Sequence, residues 1–302
     1  MTKLASNLRD YLKWYVLIAL VVVCFLLWSY INHENRQGIL KFVVLDVGQG
    51  DSLFIESPTG KQVIIDGGPG RSLLREISKV MPWYDRRIDI MIVTNPDRDH
   101  YEGFIPLLEK YKTDLFVESG TKNDKGVYEF LHERLNDLDV PKLLARRGQK
   151  IDIGGGAYLE VFFPDRDVSG LSPNDGSIVM KLVYGETSVL LQGDSTRRIE
   201  EYIMTFASTT IKSTILKAGH HGSKTSSGEA YVLAVSPKWV VITAGENNSY
   251  GHPHKETLDT IKKFGIPALS TCINGTLYFE SDGKNFVLKN KKIKNAVVGC
   301  KL

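Results

Sequence analysis

The feature that most constrains this chain is the junction at residues 94–103, Thr-Asn-Pro-Asp-Arg-Asp-His-Tyr-Glu-Gly. The largely apolar run before it, residues 88–93, reads as a fully buried strand, and residues 104–108 read as the start of a helix. Asp97, Asp99 and His100 are therefore crowded into one strand-to-helix turn. Carboxylates packed that closely repel one another unless a cation neutralises them. The turn is either a metal site or a solvated acidic turn with an Asp capping the helix.

With 302 residues, 42% of them hydrophobic, the chain can bury a substantial core in one large domain or two small ones. The formal net charge of +3 argues neither for nor against nucleic acid, since a local patch matters more than the total. Cys24, Cys272 and Cys300 show no CxxC or Cys/His zinc-finger spacing, and a Cys272–Cys300 disulfide is left open. Cys24 lies in residues 14–31, a nearly unbroken apolar run just long enough to span a bilayer as a helix. Trp14, Tyr15, Trp28 and Tyr30 sit at its ends, where interfacial aromatics belong. Lys3, Arg9 and Lys13 precede it and Arg36 and Lys41 follow, a modest bias that favours a cytoplasmic N-terminus. The run is long for a signal peptide, and no small-x-small cleavage site follows it. The expected organisation is a cytoplasmic segment at 1–13, a single-pass transmembrane anchor at 14–32, a linker at 33–38, an extracytoplasmic domain at 39–283 and a lysine-rich tail at 284–302.

Strands are expected at 39–47, 52–56, 62–66 and 114–118, and helices at 72–80 and 127–138. Strand signals dominate 142–194 and include a hairpin closed at Gly185-Glu186. Helices at 197–206, 228–235 and 255–264 then alternate with strands at 214–217 and 239–243. Residues 268–280 read as a last hairpin turning at Asn274-Gly275. Strand-rich halves separated by helices suggest two mixed sheets packed face to face with helices outside.

The remaining chemistry-bearing residues also fall at strand ends, where rigid sites are built. Asp194 ends the run Val-Leu-Leu-Gln-Gly-Asp, and His220 and His221 stand between Gly219 and Gly222. Asp46 and Asp51 belong to a glycine-rich turn, and Asp66 precedes Gly67 and Gly68. Asp66 is suited to accept a hydrogen bond from a ligating His. Together Asp97, Asp99, His100, Asp194 and one of the paired histidines form an oxygen and imidazole set that suits Zn or Mn.

Six motifs occur in order: Asp46-Val47-Gly48-Gln49-Gly50-Asp51-Ser52, Asp66-Gly67-Gly68, Asn95-Pro96-Asp97-Arg98-Asp99-His100, Leu191-Gln192-Gly193-Asp194, His220-His221-Gly222-Ser223 and Tyr250-Gly251-His252-Pro253. They resemble the metallo-β-lactamase superfamily, and within it the C-terminal extracytoplasmic domain of the ComEC family of DNA-uptake proteins. The resemblance implies an αββα sandwich over residues 39–283 with one or two divalent metal ions at its edge. It implies hydrolysis of phosphodiesters, with single-stranded DNA as the partner. A similar extracytoplasmic esterase type implies wall or phosphocholine esters instead. A third reading is a binding module without turnover. The family's channel helices and oligonucleotide-binding domain have no counterpart in these residues, so a stand-alone anchored hydrolase domain is expected.

By resemblance Asp99, His100, bridging Asp194 and His221 bind the second metal. Asn95 stands where the family has its first His, and residues 174–177 where the superfamily has another. Asn95 would be a weak neutral ligand of the first metal. Asp97 would join it there or position the attacking water. His220 would face the phosphate or donate a proton, while Ser223, Lys224, Asn248 and His252 would contact substrate. Asp46, Asp51 and Asp66 would support the ligands. The tail lysines fit nucleic acid or anionic lipid, or are simply solvated.

Overall fold

The structure of the protein, a computed structural model, describes residues 2–34, 38–123, 126–291, 293 and 300, with side chains in the first segment described over 11–30. The chain divides into two compact units, Met1–Gln37 and Gly38–Leu302. The first contains one helix, α1 (Thr2–Glu34). Its Tyr11–Tyr30 stretch, with mean hydropathy 2.2 and exposed side chains, is long and apolar enough to cross a membrane. The helix also runs through the residues expected as a separate N-terminal segment, because no Gly or Pro interrupts them.

The second unit is built on two sheets. In chain order its strands are β1 (Leu40–Val44), β2 (Leu53–Glu56), β3 (Gln62–Ile65), β4 (Arg87–Val93), β5 (Lys112–Glu118), β6 (Lys142–Leu144), β7 (Lys150–Gly154), β8 (Ala157–Phe163), β9 (Val179–Tyr184), β10 (Thr187–Leu191), β11 (Ile215–Lys217), β12 (Trp239–Ile242), β13 (Ala268–Ser270), β14 (Leu277–Ser281) and β15 (Phe286–Leu288). One sheet runs β15-β14-β1-β2-β3-β4-β5-β6 and the other β13-β12-β11-β10-β9-β8-β7. The helices are α2 (Ser72–Val80), α3 (Arg98–Tyr101), α4 (Phe104–Leu108), α5 (Gly126–Asp137), α6 (Arg197–Ala207), α7 (Glu229–Val235), α8 (Lys255–Lys263) and α9 (Thr271–Asn274).

Alternation along the strands divides the core into layers. Leu40, Phe42 and Val44 of β1 meet Val189 and Leu191 of β10 between the sheets. Val43 and Leu45 turn the other way, onto a layer shared with Ile77 of α2, Phe104 of α4 and Leu131 of α5. Leu190 likewise joins Ile203 of α6, Val232 of α7 and Ile261 of α8. This is the expected αββα sandwich.

The end of the chain departs from expectation. β13 pairs in parallel with β12 in the second sheet, whereas β14 pairs with β1 in the first, so residues 268–280 cross between sheets and form no hairpin. The Asn-Gly dipeptide ends α9 instead: Asn274 Nδ2 donates to Ser270 O at 3.3 Å, and Gly275 takes φ +66°. Readiness for positive φ serves a helix C-terminus as well as a hairpin turn. The last hairpin is β14–β15, where the N–H groups of Lys284 and Asn285 both donate to Asp282 Oδ1 at 2.8 Å. β15 therefore extends the first sheet into the stretch expected as a tail. Cys300 reaches back to a disulfide with Cys272 beside β13. Lys284 and Lys291 are exposed, and Lys289 pairs with Glu280 at 3.2 Å. Lys292 and Lys294 lie outside the described residues.

The parallel runs β3-β4-β5 and β10-β11-β12 matter most for chemistry. Asp66 follows β3, Asp97 to His100 follow β4, Asp194 follows β10, and the paired histidines follow β11.

Candidate metal centre

The first half of the site is two turns locked together. The Gly67 N–H donates to His100 O, and the Gly103 N–H donates to Gly68 O at 2.9 Å. A side chain at Gly103 would run into the Gly67 carbonyl, so the turns approach this closely only with glycine there. Asp66 accepts the Thr94 N–H at 2.8 Å and the Thr94 hydroxyl at 2.6 Å. It also accepts His100 Nδ1–H at 2.9 Å. His100 Nε2 is thereby aimed inward.

The second half is a strained turn. His220 and His221 both adopt left-handed backbone angles, φ 48° and 54°. Such angles cost on the order of 1–2 kcal/mol per residue. In return, adjacent side chains part company. His221 is fully buried, with Nδ1 facing Asp51 Oδ1 at 3.1 Å. His220 stays one-quarter exposed (25%) and hydrogen-bonds Thr225 Oγ1 through Nδ1 at 3.2 Å. The His220 N–H also donates to Gly193 O at 3.0 Å, tying this turn to Asp194.

The two halves converge. His100 Nε2 lies 3.1 Å from Asp194 Oδ2, His221 Nε2 lies 3.6 Å from the same oxygen, and His221 Nε2 lies 3.3 Å from Asp99 Oδ2. Donors about 2.0–2.1 Å from a tetrahedral ion stand about 3.3–3.4 Å apart, so these spacings suit a single cation. His100 Nε2, His221 Nε2 and Asp194 Oδ1 are buried and have no hydrogen-bond partner. Buried polar atoms left unpaired are costly, and a cation would satisfy all three. Asp99, His100 and His221 form one set of side chains able to hold a metal, and Asp51, Asp194 and His221 another.

The field at the site favours positive charge. Burial opposes a proton on His221, but Asp194 and Asp51 outweigh it and raise its pKa to about 10. Burial likewise opposes charge on His100, yet Asp194 and Asp66 lift it well above the ordinary value. Burial pushes Asp194 up, and His100 and His221 more than reverse it, taking it well below the usual carboxylate range. In the absence of a metal, the two imidazoles bind protons more tightly folded than unfolded. Their stabilisation is full below about pH 6.5, the unfolded value. It is lost as pH rises toward about 10, the folded value for His221. Metal-stripped protein should therefore melt at falling temperature across that window. A divalent ion displaces the same protons, so its binding should release protons and tighten with pH there. Melting curves in EDTA, and metal titrations in buffers of different ionisation enthalpy, check both trends; a flat profile would contradict this charge balance.

The other expected site residues divide. Asp97 and His252 line the same cavity of about 320 Å³ as Asp99, Asp194, His220 and His221. Asp51 faces His221 Nδ1, and is itself held by Thr243 and by the buried Lys217. Asn95, expected as a weak ligand, has both ends of its amide engaged. Its Oδ1 accepts the Asp97 N–H at 2.9 Å and its Nδ2 donates to Asn174 Oδ1 at 2.9 Å. Asn248, expected at substrate, staples its own loop: Oδ1 accepts the His252 N–H at 2.9 Å, and Nδ2 donates to Gly245 O at 2.9 Å and His252 O at 2.7 Å. Asp46, expected behind a ligand, turns its carboxylate onto the Gly48 N–H at 3.4 Å, a neighbour in its own turn. Ser223 is buried against Thr225, and Lys224 is exposed; neither lines the cavity. Lys217 and Thr243 escaped sequence reasoning. A lysine closing the buried run Ile215-Leu216-Lys217 was the available signal.

Comparison with known proteins agrees with this architecture. Residues 45–244 match the metallo-beta-lactamase superfamily, and the chain belongs to that superfamily, a fold typical of metal-dependent hydrolases. It is 30% identical over 263 residues to ComE operon protein 3 of Bacillus subtilis, covering 78% of this chain and 32% of that protein. It is 26% identical over 250 residues to Competence protein ComA of Neisseria gonorrhoeae, covering 82% of this chain and 32% of that protein. Recombination protein 2 of Haemophilus influenzae is 27% identical over 237 residues, 76% of this chain and 27% of that protein. On these relatives the chain is ComEC-like, as its motif order implied, and it spans about a third of their length. A solved mutant of the CmlA beta-hydroxylase shares the fold, with TM-score 0.52 and 13% identity over 79% of this chain and 53% of that one.

Proposed function

We propose that the chain is a membrane-anchored, metal-dependent phosphodiesterase that cleaves DNA outside the cytoplasm. The observation that carries this reading is the convergence of His100 Nε2, His221 Nε2 and Asp194 Oδ1, buried and unpartnered, beside Asp99. These four residues would hold one divalent ion, Zn or Mn by donor type. The engaged Asn95 amide argues against an equally firm second ion. A bound ion supplies Lewis-acid polarisation of a phosphoryl oxygen and a nucleophilic water at neutral pH. Asp66 and Asp51 keep the two imidazoles aimed inward. Asp97, at the cavity wall, would orient the attacking water. Burial lowers the pKa of His220, leaving it neutral near pH 7. Nδ1 is engaged by Thr225, and its Nε2 would face the phosphate or the leaving oxygen.

Relatives named for competence and recombination make DNA the first substrate to test. The Cys272–Cys300 bridge supports an oxidising compartment, hence the extracytoplasmic side for the second unit and an anchoring role for α1. In cells, those two cysteines should resist alkylation until reduced. The full chain, purified in detergent micelles, should cleave single-stranded DNA with added Mn or Zn and stop on EDTA. Turnover confined to phosphocholine esters would favour the wall-ester reading. Absence of both metal binding and cleavage would leave a binding module.

A further inference from the structure

We propose that Tyr250 forms a stacking subsite for a nucleobase next to the phosphate that the metal cavity would engage, a proposal that rests on the phosphodiesterase reading. Tyr250 lines the cavity of about 320 Å³ together with Asp194, His221 and His252. It is the one six-membered aromatic ring among the described lining residues. It is also 65% exposed, so one broad apolar face is open to solvent at the mouth of a polar site.

The ring is braced from behind. It lies nearly parallel to the His252 imidazole, with centroids 5.7 Å apart and planes at 20°. His252 is itself buried, and its backbone is held on both sides by Asn248, which accepts its N–H at 2.9 Å and donates to its carbonyl at 2.7 Å. Asn248 also reaches Gly245 O at 2.9 Å, and the Gly245 N–H donates to Gln49 Oε1 at 3.1 Å. Gln49 lines the same cavity. The tyrosine is thus presented as a supported face on a stapled loop, which lowers the entropy lost when a partner stacks on it.

The geometry selects the class of ligand. A planar base offers a π face whatever its identity, and stacking on an aromatic side chain is correspondingly tolerant of sequence. A quaternary ammonium is typically enclosed by an aromatic cage, whereas this site offers one face backed by an imidazole. Arg98, exposed on the same wall, is ion-paired with Glu102 and would have to share its charge with the backbone of a strand lying across the mouth.

The test uses the full chain in detergent micelles with Mn and two fluorescent probes. One is a short single-stranded DNA with phosphorothioate linkages. The other is an abasic oligomer of equal length with the same linkages. Fluorescence polarisation should show the base-bearing strand bound about tenfold or more tightly than the abasic one. Tyr250→Ala should erase that difference, and Tyr250→Trp should restore it. Equal weakening of both probes by Tyr250→Ala, or no weakening of either, would overturn the subsite. Wild-type protein that binds both probes equally would overturn it too, while leaving the phosphodiesterase reading in place. Wild-type protein that binds neither would take down both.

Discussion

Alanine at His221 is expected to abolish divalent-metal binding and hydrolysis while leaving the domain folded. The imidazole is the hub of the site. Its Nε2 faces Asp99 and Asp194 at 3.3 and 3.6 Å, and its Nδ1 faces Asp51 at 3.1 Å. Removing it takes out one donor and leaves Asp51, Asp99 and Asp194 without the imidazole that each of them faces. The remaining set lacks the donor that stands between Asp99 and Asp194, so the coordination shell is incomplete. Asp66→Ala acts one step further out. It leaves His100 in place but without the acceptor that sets its ring, and roughly 10–100-fold weaker metal binding is expected. Calorimetric titration with Zn and Mn, alongside circular dichroism, separates the two grades. Stoichiometric metal in folded His221→Ala protein would refute the ligand assignment.

The second large effect concerns stability. Lys217 and Asp51 are both 1% exposed and form a direct ion pair. Lys217→Met keeps the length and apolar stem of the side chain and deletes only the charge. It leaves Asp51 buried with less compensation, and loss of one partner of a buried pair costs about 3–5 kcal/mol. Urea unfolding in EDTA should show a loss of that order. Lys217→Met with Asp51→Asn should recover part of it, since the buried charge is then gone, while metal binding stays impaired because His221 loses its carboxylate support. A single variant within about 1 kcal/mol of wild type would mean that His221 and Thr243 alone satisfy Asp51.

Much of this molecule is legible in its residues because strand ends carry both signals at once. An apolar run such as residues 88–93 declares a buried strand, and the charged residues after it declare what the edge of the sheet is for. Six motifs in order then define the sandwich and bring together Asp99, His100, Asp194 and His221. Roles that depend on which neighbour a polar group finds were not legible. By position Asn95 looks like a ligand and Asn248 like a substrate contact, but an amide offers both a donor and an acceptor: Asn248 spends both on its own loop, and Asn95 spends them on the Asp97 N–H and the distant Asn174. Lys217 looks like a residue at the limit of a strand until Asp51, from a distant turn, is set against it. The Asn-Gly signal at 274–275 was read by its commonest use, and the end of a one-turn helix used the same backbone freedom.

The pairing of β1 with β14 bears on how the domain is made. The first strand after the N-terminal helix is hydrogen-bonded on one edge to β2, close in sequence, and on the other to a strand near the far end of the chain. As the chain emerges from the ribosome, one edge of β1 must wait, unpaired, until β14 has been synthesised. Long-range closures of this kind are slow, and open strand edges invite association with other chains. Shortened forms that stop before β14 should thus fail as aggregates rather than survive as smaller folded units, and the last strands serve as the clasp that completes the sheet.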